Sequence, residues 1–369
     1  MTSLDDSPHM VSAVRVAMSL PILLLALPAG TLADRVDRRK LLIAVQTVLM
    51  LTAGMISAMT YAGVMTPQWL LVLTGIMGLG MVVHVPTWQA SIPELVPKSQ
   101  IPQAVALGSI SFNLARGVGP AIGGLLIASV GTWIAFAVNS FSFGVVLLVL
   151  IRWKRTATER PLPESFFASI QTGFAFAIGE RVMRNVLLRV VLFVFPASIL
   201  WSLMPLIARQ QLDWDSRGYG YLVGSIGLGA VVAAAWLPRM RQVVGIDQTV
   251  FSAMCIFAAG LAMTSITSHR IVAMVSMFVM GIGWMMTLTT LNSTAQVTLS
   301  NSIRARGMAC YLSALAGAMA VGAWLWGVVA KEYSPEFAEL FAAALLPVNA
   351  IIGLMLPMDA DRVKRVEEN

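Results

Sequence analysis

The chain has 369 residues, a length that allows two or three soluble domains. Composition excludes them: hydrophobic residues make up 57% and charged residues 12%, about half the charge a soluble surface carries, and the mean hydropathy is +0.79. The net charge of +7, from 25 Lys+Arg against 18 Asp+Glu, falls between apolar runs, which speaks for orientation in a bilayer and against nucleic-acid binding. Cys255 and Cys310 sit in apolar stretches, and His9, His84 and His269 lie far apart, so no disulfide framework, metal site or cofactor is expected. No nucleotide-binding loop or nucleophile elbow occurs, and no enzymatic activity is expected.

A bilayer core about 30 Å thick takes about 20 apolar residues of helix. In chain order such runs lie at about 11–31, 41–63, 69–90, 103–128, 130–151, 187–209, 218–238, 247–267, 270–295, 305–330 and 335–357, eleven in all. Each reads as helix, because an open sheet leaves edge groups unsatisfied in lipid. Basic residues cluster after the odd-numbered runs: Arg35, Arg38, Arg39 and Lys40; Lys98; Arg152, Lys154, Arg155, Arg160, Arg181 and Arg184; Arg239 and Arg241; Arg304 and Arg306; Arg362, Lys364 and Arg365. The alternate connections are nearly bare. This bias places the odd-numbered connections and the C-terminus in the cytoplasm of a multi-pass inner-membrane protein. The polar stretch 152–186 is too interrupted to span and reads as a cytoplasmic linker with an amphipathic helix. The chain thus divides into an N-terminal half, 1–151, with five helices, the linker 152–186, and a C-terminal half, 187–369, with six.

An internal repeat joins the halves. Met77-Gly78-Leu79-Gly80 matches Met280-Gly281-Ile282-Gly283 at an offset of 203, and Gly119, Gly124 and Arg38 match Gly322, Gly327 and Arg241 at the same offset. Two pseudo-symmetric helical halves related by a parallel repeat are a transporter architecture. The same offset sends the counterpart of 187–209 almost wholly ahead of Met1. The expectation is an all-α membrane protein with about 11 transmembrane helices of 12, the first helix missing.

Two motifs carry a resemblance. Gly30-Thr-Leu-Ala-Asp34-Arg35-Val-Asp37-Arg38-Arg39-Lys40 resembles the loop between the second and third helices of the major facilitator superfamily, with Asp37 where that loop has its second glycine. The resemblance implies a conformational latch at Gly30, Asp34, Arg35, Arg38 and Arg39, with Asp34 free to cap a helix and pair with arginines. The second motif is Gly108, Ala115, Gly119, Pro120, Gly123 and Gly124, which resembles the fifth-helix motif of antiporters in that superfamily, with Ala115 in place of a glycine. It implies close small-residue packing and export. The run 86–124, followed by Phe136, Asn139 and Phe143, resembles the transmembrane secretion effectors, a branch that includes the enterobactin exporter and macrolide efflux proteins; the likeness extends from about residue 8 to 357.

Polar residues inside spans are candidates for the substrate or proton pathway. Arg116 either meets an anionic substrate or a switching partner, or pairs with carbonyls and Asn113 on the same face. His84 is either a proton carrier or a packing residue. Gln89, Asn139, Asn292 and Gln296 either line a cavity or hydrogen-bond helices together. Arg15, close to the outer end of its span, is expected to snorkel, and no other span is expected to bury an acid. The resulting expectation is a monomeric, proton-coupled secondary exporter of a siderophore or drug-like small molecule, working by alternating access in the lipid bilayer. The alternative is a non-transporting truncated remnant or membrane assembly partner.

Overall fold

A computed structural model describes residues 4, 7–97, 100, 111, 115, 122–123, 126–127, 129–153, 175, 178–214, 216–299 and 304–358. Among the described residues there are nine helices long and apolar enough to cross a membrane. They are α1 (Pro8–Arg35), α2 (Arg38–Tyr61), α3 (Pro67–Leu95), α4 (Thr132–Arg152), α5 (Arg181–Leu206), α6 (Ser216–Ser265), α7 (Arg270–Thr298), α8 (Arg304–Glu332) and α9 (Pro335–Leu354). The expected separate runs at 218–238 and 247–267 fall in α6, a 50-residue helix broken at Gly245, whose φ of 81° is open to glycine and closed to most other residues. Most of the run expected at 103–128 and nearly all of the linker lie outside the described residues.

Local chemistry sets several helix starts. The Asp37 carboxylate accepts from the Lys40 amide at 2.9 Å and opens α2. Thr66 ahead of Pro67 and Ser334 ahead of Pro335 cap α3 and α9 through the Trp69 and Phe337 amides. In each case a hydroxyl satisfies an orphan donor and proline fills the first helical position, where its missing N–H costs nothing. Beyond α5 the chain makes one π-helical turn, Ile207–Gln211, and the Gln211 amide donates to the Thr264 and Thr267 carbonyls at 2.7 and 2.8 Å.

Helix boundaries fall on the sequence repeat. Helices α3 and α7 have 29 residues each, and both their starts and their ends differ by 203. Helices α4 and α9 likewise start 203 apart. Packing follows the same correspondence: α3 lies against α1 and α2, and α7 against both arms of α6. The glycines of the repeated Met-Gly-Xaa-Gly pair divide this work. A Cβ on Gly78 would press on the Met18 and Ala17 carbonyls of α1 at 3.0 and 3.2 Å, and one on Gly281 would strike the Ile226 carbonyl in the first arm of α6. A Cβ on Gly80 would meet Leu49 of α2 at 2.7 Å, and one on Gly283 would meet the Ala253 carbonyl in the second arm at 2.6 Å.

The seam between the two sets of helices is chiefly α1 against α8, with α5 behind it. Small residues allow the approach: Gly327 of α8 faces Ser12 of α1, Gly317 faces Leu23, and Gly322 faces the Phe195 carbonyl and Ser198 of α5. Helix α5 is the most covered, with 72% of its most apolar stretch buried, and α4 the least, at 6%. The repeat mate of α4, α9, is 44% buried because it packs on α5 and α6.

Candidate functional site

Arginines gather the helix ends at one side of the bundle. Arg38, in the first turn of α2, donates to Glu94 near the end of α3 at 2.9 Å. Its repeat mate Arg241 donates to Ser293 near the end of α7, also at 2.9 Å. Arg39 reaches the last carbonyls of α4, Leu150 at 2.9 Å and Ile151 at 2.6 Å. Leu150 has Gly353 as its mate 203 residues on, and the Gly353 carbonyl also accepts from a guanidinium, that of Arg189. These carbonyls are C-terminal helix ends, where partial negative charge accumulates and a cation is favoured.

Arg189 belongs to a buried network that local sequence patterns do not show. It pairs with Asp247 at 2.9 Å, both side chains being almost wholly buried. The same carboxylate oxygen accepts from the Met358 amide at 3.2 Å, and Asn185, one turn before Arg189, donates to the Pro357 carbonyl at 2.7 Å. The cluster binds α5, the second arm of α6 and the end of α9 to one another.

Of the expected latch, Arg38 and Arg39 are tied as described, and the acid that caps α2 is Asp37. Gly30, Asp34 and Arg35 close α1, and their side chains lie outside the description. Gly108, Asn113, Arg116, Gly119, Pro120 and Gly124 are outside the described residues. Gly123 is helical, with open space beside it.

The polar residues of the expected pathway do not form one cluster. His84 is half-buried in α3, with Nδ1 unpartnered and its ring stacked on Trp88 at 6.5 Å. Gln89 lies on the same helix, its side chain outside the description. Asn139 sits on α4, and its backbone carbonyl accepts from Ser142. Gln296 donates to Asn292, which also hydrogen-bonds the buried Tyr311 of α8, so this pair joins α7 to α8.

Two expectations are corrected. Arg15 does not snorkel to the membrane surface: its guanidinium lies over the Trp201 ring of α5, 5.7 Å from the centroid. Buried acids do occur within the helices. Asp247 is one, and Glu339 of α9 is another, wholly buried with neither carboxyl oxygen partnered among the described residues. Glu339 was legible as a charge inside an apolar run; the Arg189–Asp247 pair, 58 residues apart, was not.

Two open clefts lie between the described helices. One, of about 460 Å³, lies between α1, α3 and α8, where Ala13, Leu71, Trp324 and Lys331 line it. The other, of about 450 Å³, lies between the first arm of α6 and α7, beside Pro238, Arg241 and Thr289.

Long apolar helices packed through glycine faces and a repeat of 203 residues define a multi-pass membrane protein built of two related sets of helices. Residues 1–367 match the model of the transmembrane secretion effector family, and the chain belongs to that family. It is 23% identical over 256 residues to the staphyloferrin A transporter of Staphylococcus aureus, covering 69% of this chain and 64% of that one. It is 28% identical over 261 residues to the multidrug efflux pump Tap of Mycobacterium tuberculosis, covering 64% and 60%. The matched part thus spans less than two thirds of the length of either relative. The macrolide efflux protein A of Enterococcus faecalis is 24% identical over 237 residues. Among solved structures, a variant of the nucleoside transporter NupG superposes with a TM-score of 0.75 at 13% identity, covering 95% of this chain and 91% of that one. The human organic anion transporter MFSD10 superposes with a TM-score of 0.69 at 16% identity, covering 93% and 83%. These likenesses define the fold.

Proposed function

We propose that the chain is a proton-coupled exporter of a siderophore or drug-like small molecule, with eleven membrane crossings in two halves, 1–151 and 187–369, that rock about the α1–α8 seam. The observation that carries the reading is the pair of repeat-equivalent arginines. Arg38 ties the start of α2 to the end of α3, and Arg241 ties the end of the first arm of α6 to the end of α7, at the same end of the bundle. Such ties can form and break as the halves rock, which is what a latch on one of two states requires. The efflux relatives supply the direction of transport, and Glu339 supplies a candidate proton carrier. An isolated ion buried in an apolar helix is costly, so a carboxyl with both oxygens unpartnered is a group that binds a proton. In this reading the arginine-rich end and the C-terminus face the cytoplasm, in an inner membrane.

The test is flux in proteoliposomes containing the 369-residue chain, loaded with staphyloferrin A or a macrolide and given an imposed pH gradient. Gradient-dependent release that Asp34→Asn slows, at unchanged protein level, supports the reading. Release that ignores the gradient removes proton coupling.

A second reading has its own observation. With 6% of α4 buried against 44% of α9, the first half presents a flank that its counterpart covers with α5. In this reading the chain alone is a non-transporting membrane partner, and flux requires one more helix against α4. Robust flux by the 369-residue chain excludes it.

A further inference from the structure

Arg15 brings a full positive charge about two turns inside α1, to the face directed at α5. Among the described residues no acid pairs with it; its described neighbours are the Trp201 ring and the Tyr219 phenol, which lies within electrostatic range. A cation over an indole face gains part of what a counter-ion would give, and much less than a bidentate anion gives.

Trp201 is unsatisfied as well. Its Nε1–H is buried and has no acceptor among the described residues. From 196 to 204 every residue of α5 is buried except Trp201, so the indole is the partly open position of an otherwise covered stretch. Behind it stands an aromatic wall. Trp201 meets Trp284 of α7 edge to face at 5.5 Å, and Trp284 in turn packs against Phe193 and Phe257. Among the described residues, a guanidinium without a counter-ion and an indole N–H without an acceptor therefore lie side by side between α1 and α5, beside an aromatic cluster. Both lack the same thing, an anionic oxygen.

We propose that Arg15, Trp201 and Tyr219 form a binding site for the carboxylate of a small molecule whose apolar body rests on the Trp201–Trp284 wall. The guanidinium takes the two oxygens in a fork, and the indole and phenol donate to the remaining lone pairs. The site lies on the α1–α5 contact, so a bound carboxylate joins one half to the other. This inference rests on the transporter reading only for the meaning of the ligand; the binding itself is independent of flux.

The experiment uses the full chain in nanodiscs and equilibrium dialysis with radiolabelled benzoate, with neutral benzamide as its isostere. Hydrogen bonds to a charged group at a buried site correspond to about tenfold or more in affinity. Wild type is expected to hold benzoate at least about tenfold more tightly than benzamide. Arg15→Gln should erase that preference, Arg15→Lys should keep a part of it, and Trp201→Phe should reduce it while retaining benzamide binding. Thermal unfolding of each variant reports folding, and if Arg15→Gln does not fold, Trp201→Phe decides. Equal binding of the two probes by wild type, or a preference that survives both Arg15→Gln and Trp201→Phe, overturns the proposal. A chain that binds benzoate through Arg15 but releases nothing from proteoliposomes retains this site and loses the exporter reading.

Discussion

Arg189 and Asp247 are worth more as a pair than either is alone. Taking both charges out of the membrane-embedded core and replacing them with apolar side chains of like size removes two desolvation costs together with their attraction, whereas removing one leaves the other buried and uncompensated. Arg189→Met is therefore expected to destabilise the protein by roughly 3–5 kcal/mol, and the double variant Arg189→Met with Asp247→Leu to recover most of the loss. Unfolding midpoints of the two single variants and the double variant in one detergent test this; a double variant as unstable as the worse single variant refutes it. Glu339 is the opposite case, a carboxyl with no partner to lose. Its repeat mate is Phe136, which packs against the apolar cluster of Ile56, Met65, Leu70 and Leu73. Glu339→Met should raise the unfolding midpoint, and under the proton-coupled reading it should abolish gradient-driven release. A lower midpoint would show that the carboxyl holds structure. The acid in the apolar run could be read from the chain by inspection. The Arg189 network could not, because its members meet only after three helices have folded together.

At the scale of helices, α7 is wedged between the arms of α6 by glycines on both sides. Gly229 of the first arm faces the Phe278 carbonyl, Gly281 faces Ile226, Gly260 of the second arm faces the Ser276 carbonyl at 2.9 Å, and Gly283 faces Ala253. Backbones this close leave no room for a methyl group. Gly281→Ala and Gly283→Ala should each destabilise by about 1–3 kcal/mol, the usual cost of overpacking. Gly224→Ala, in the same bundle but with open space around it, should be neutral or slightly stabilising because alanine favours helix. Comparable behaviour of all three in thermal unfolding would mean that the contact is loose. The repeat was legible because these glycines are fixed by backbone contact and keep their spacing. The break in α6 was legible only as a gap between two apolar runs. That it is a single kink at Gly245 depends on one positive φ, which sequence spacing does not encode.

For the molecule as a whole, most of the arginine ties lie at the end that carries the basic connections. Arg38, Arg39, Arg189 and Arg241 hold helix ends there, while at the other end Arg270 donates to the Leu212 and Asp213 carbonyls. Most of the tethering thus falls on the residues that would carry a positive-inside bias, and in the proposed reading orientation and latch share a face. Helix direction then fixes every connection. Counting from α1, whose Arg35 end carries the basic motif, each crossing reverses the chain, and α6 counts twice because of its break at Gly245. The segment after Arg152 and the segment after the end of α9 then fall on the arginine side, provided that one more crossing lies between α3 and α4. Reporter fusions placed after Arg155 and after Arg365 are both expected to read as cytoplasmic, and a fusion at Gly63, in the bare turn after α2, as external. The Gly63 fusion guards against a trivial result, since a chain that never inserts would report cytoplasmic at all three. Opposite signals after Arg155 and after Arg365 would put an odd number of crossings between them, and the paired halves could not then be related by a parallel repeat.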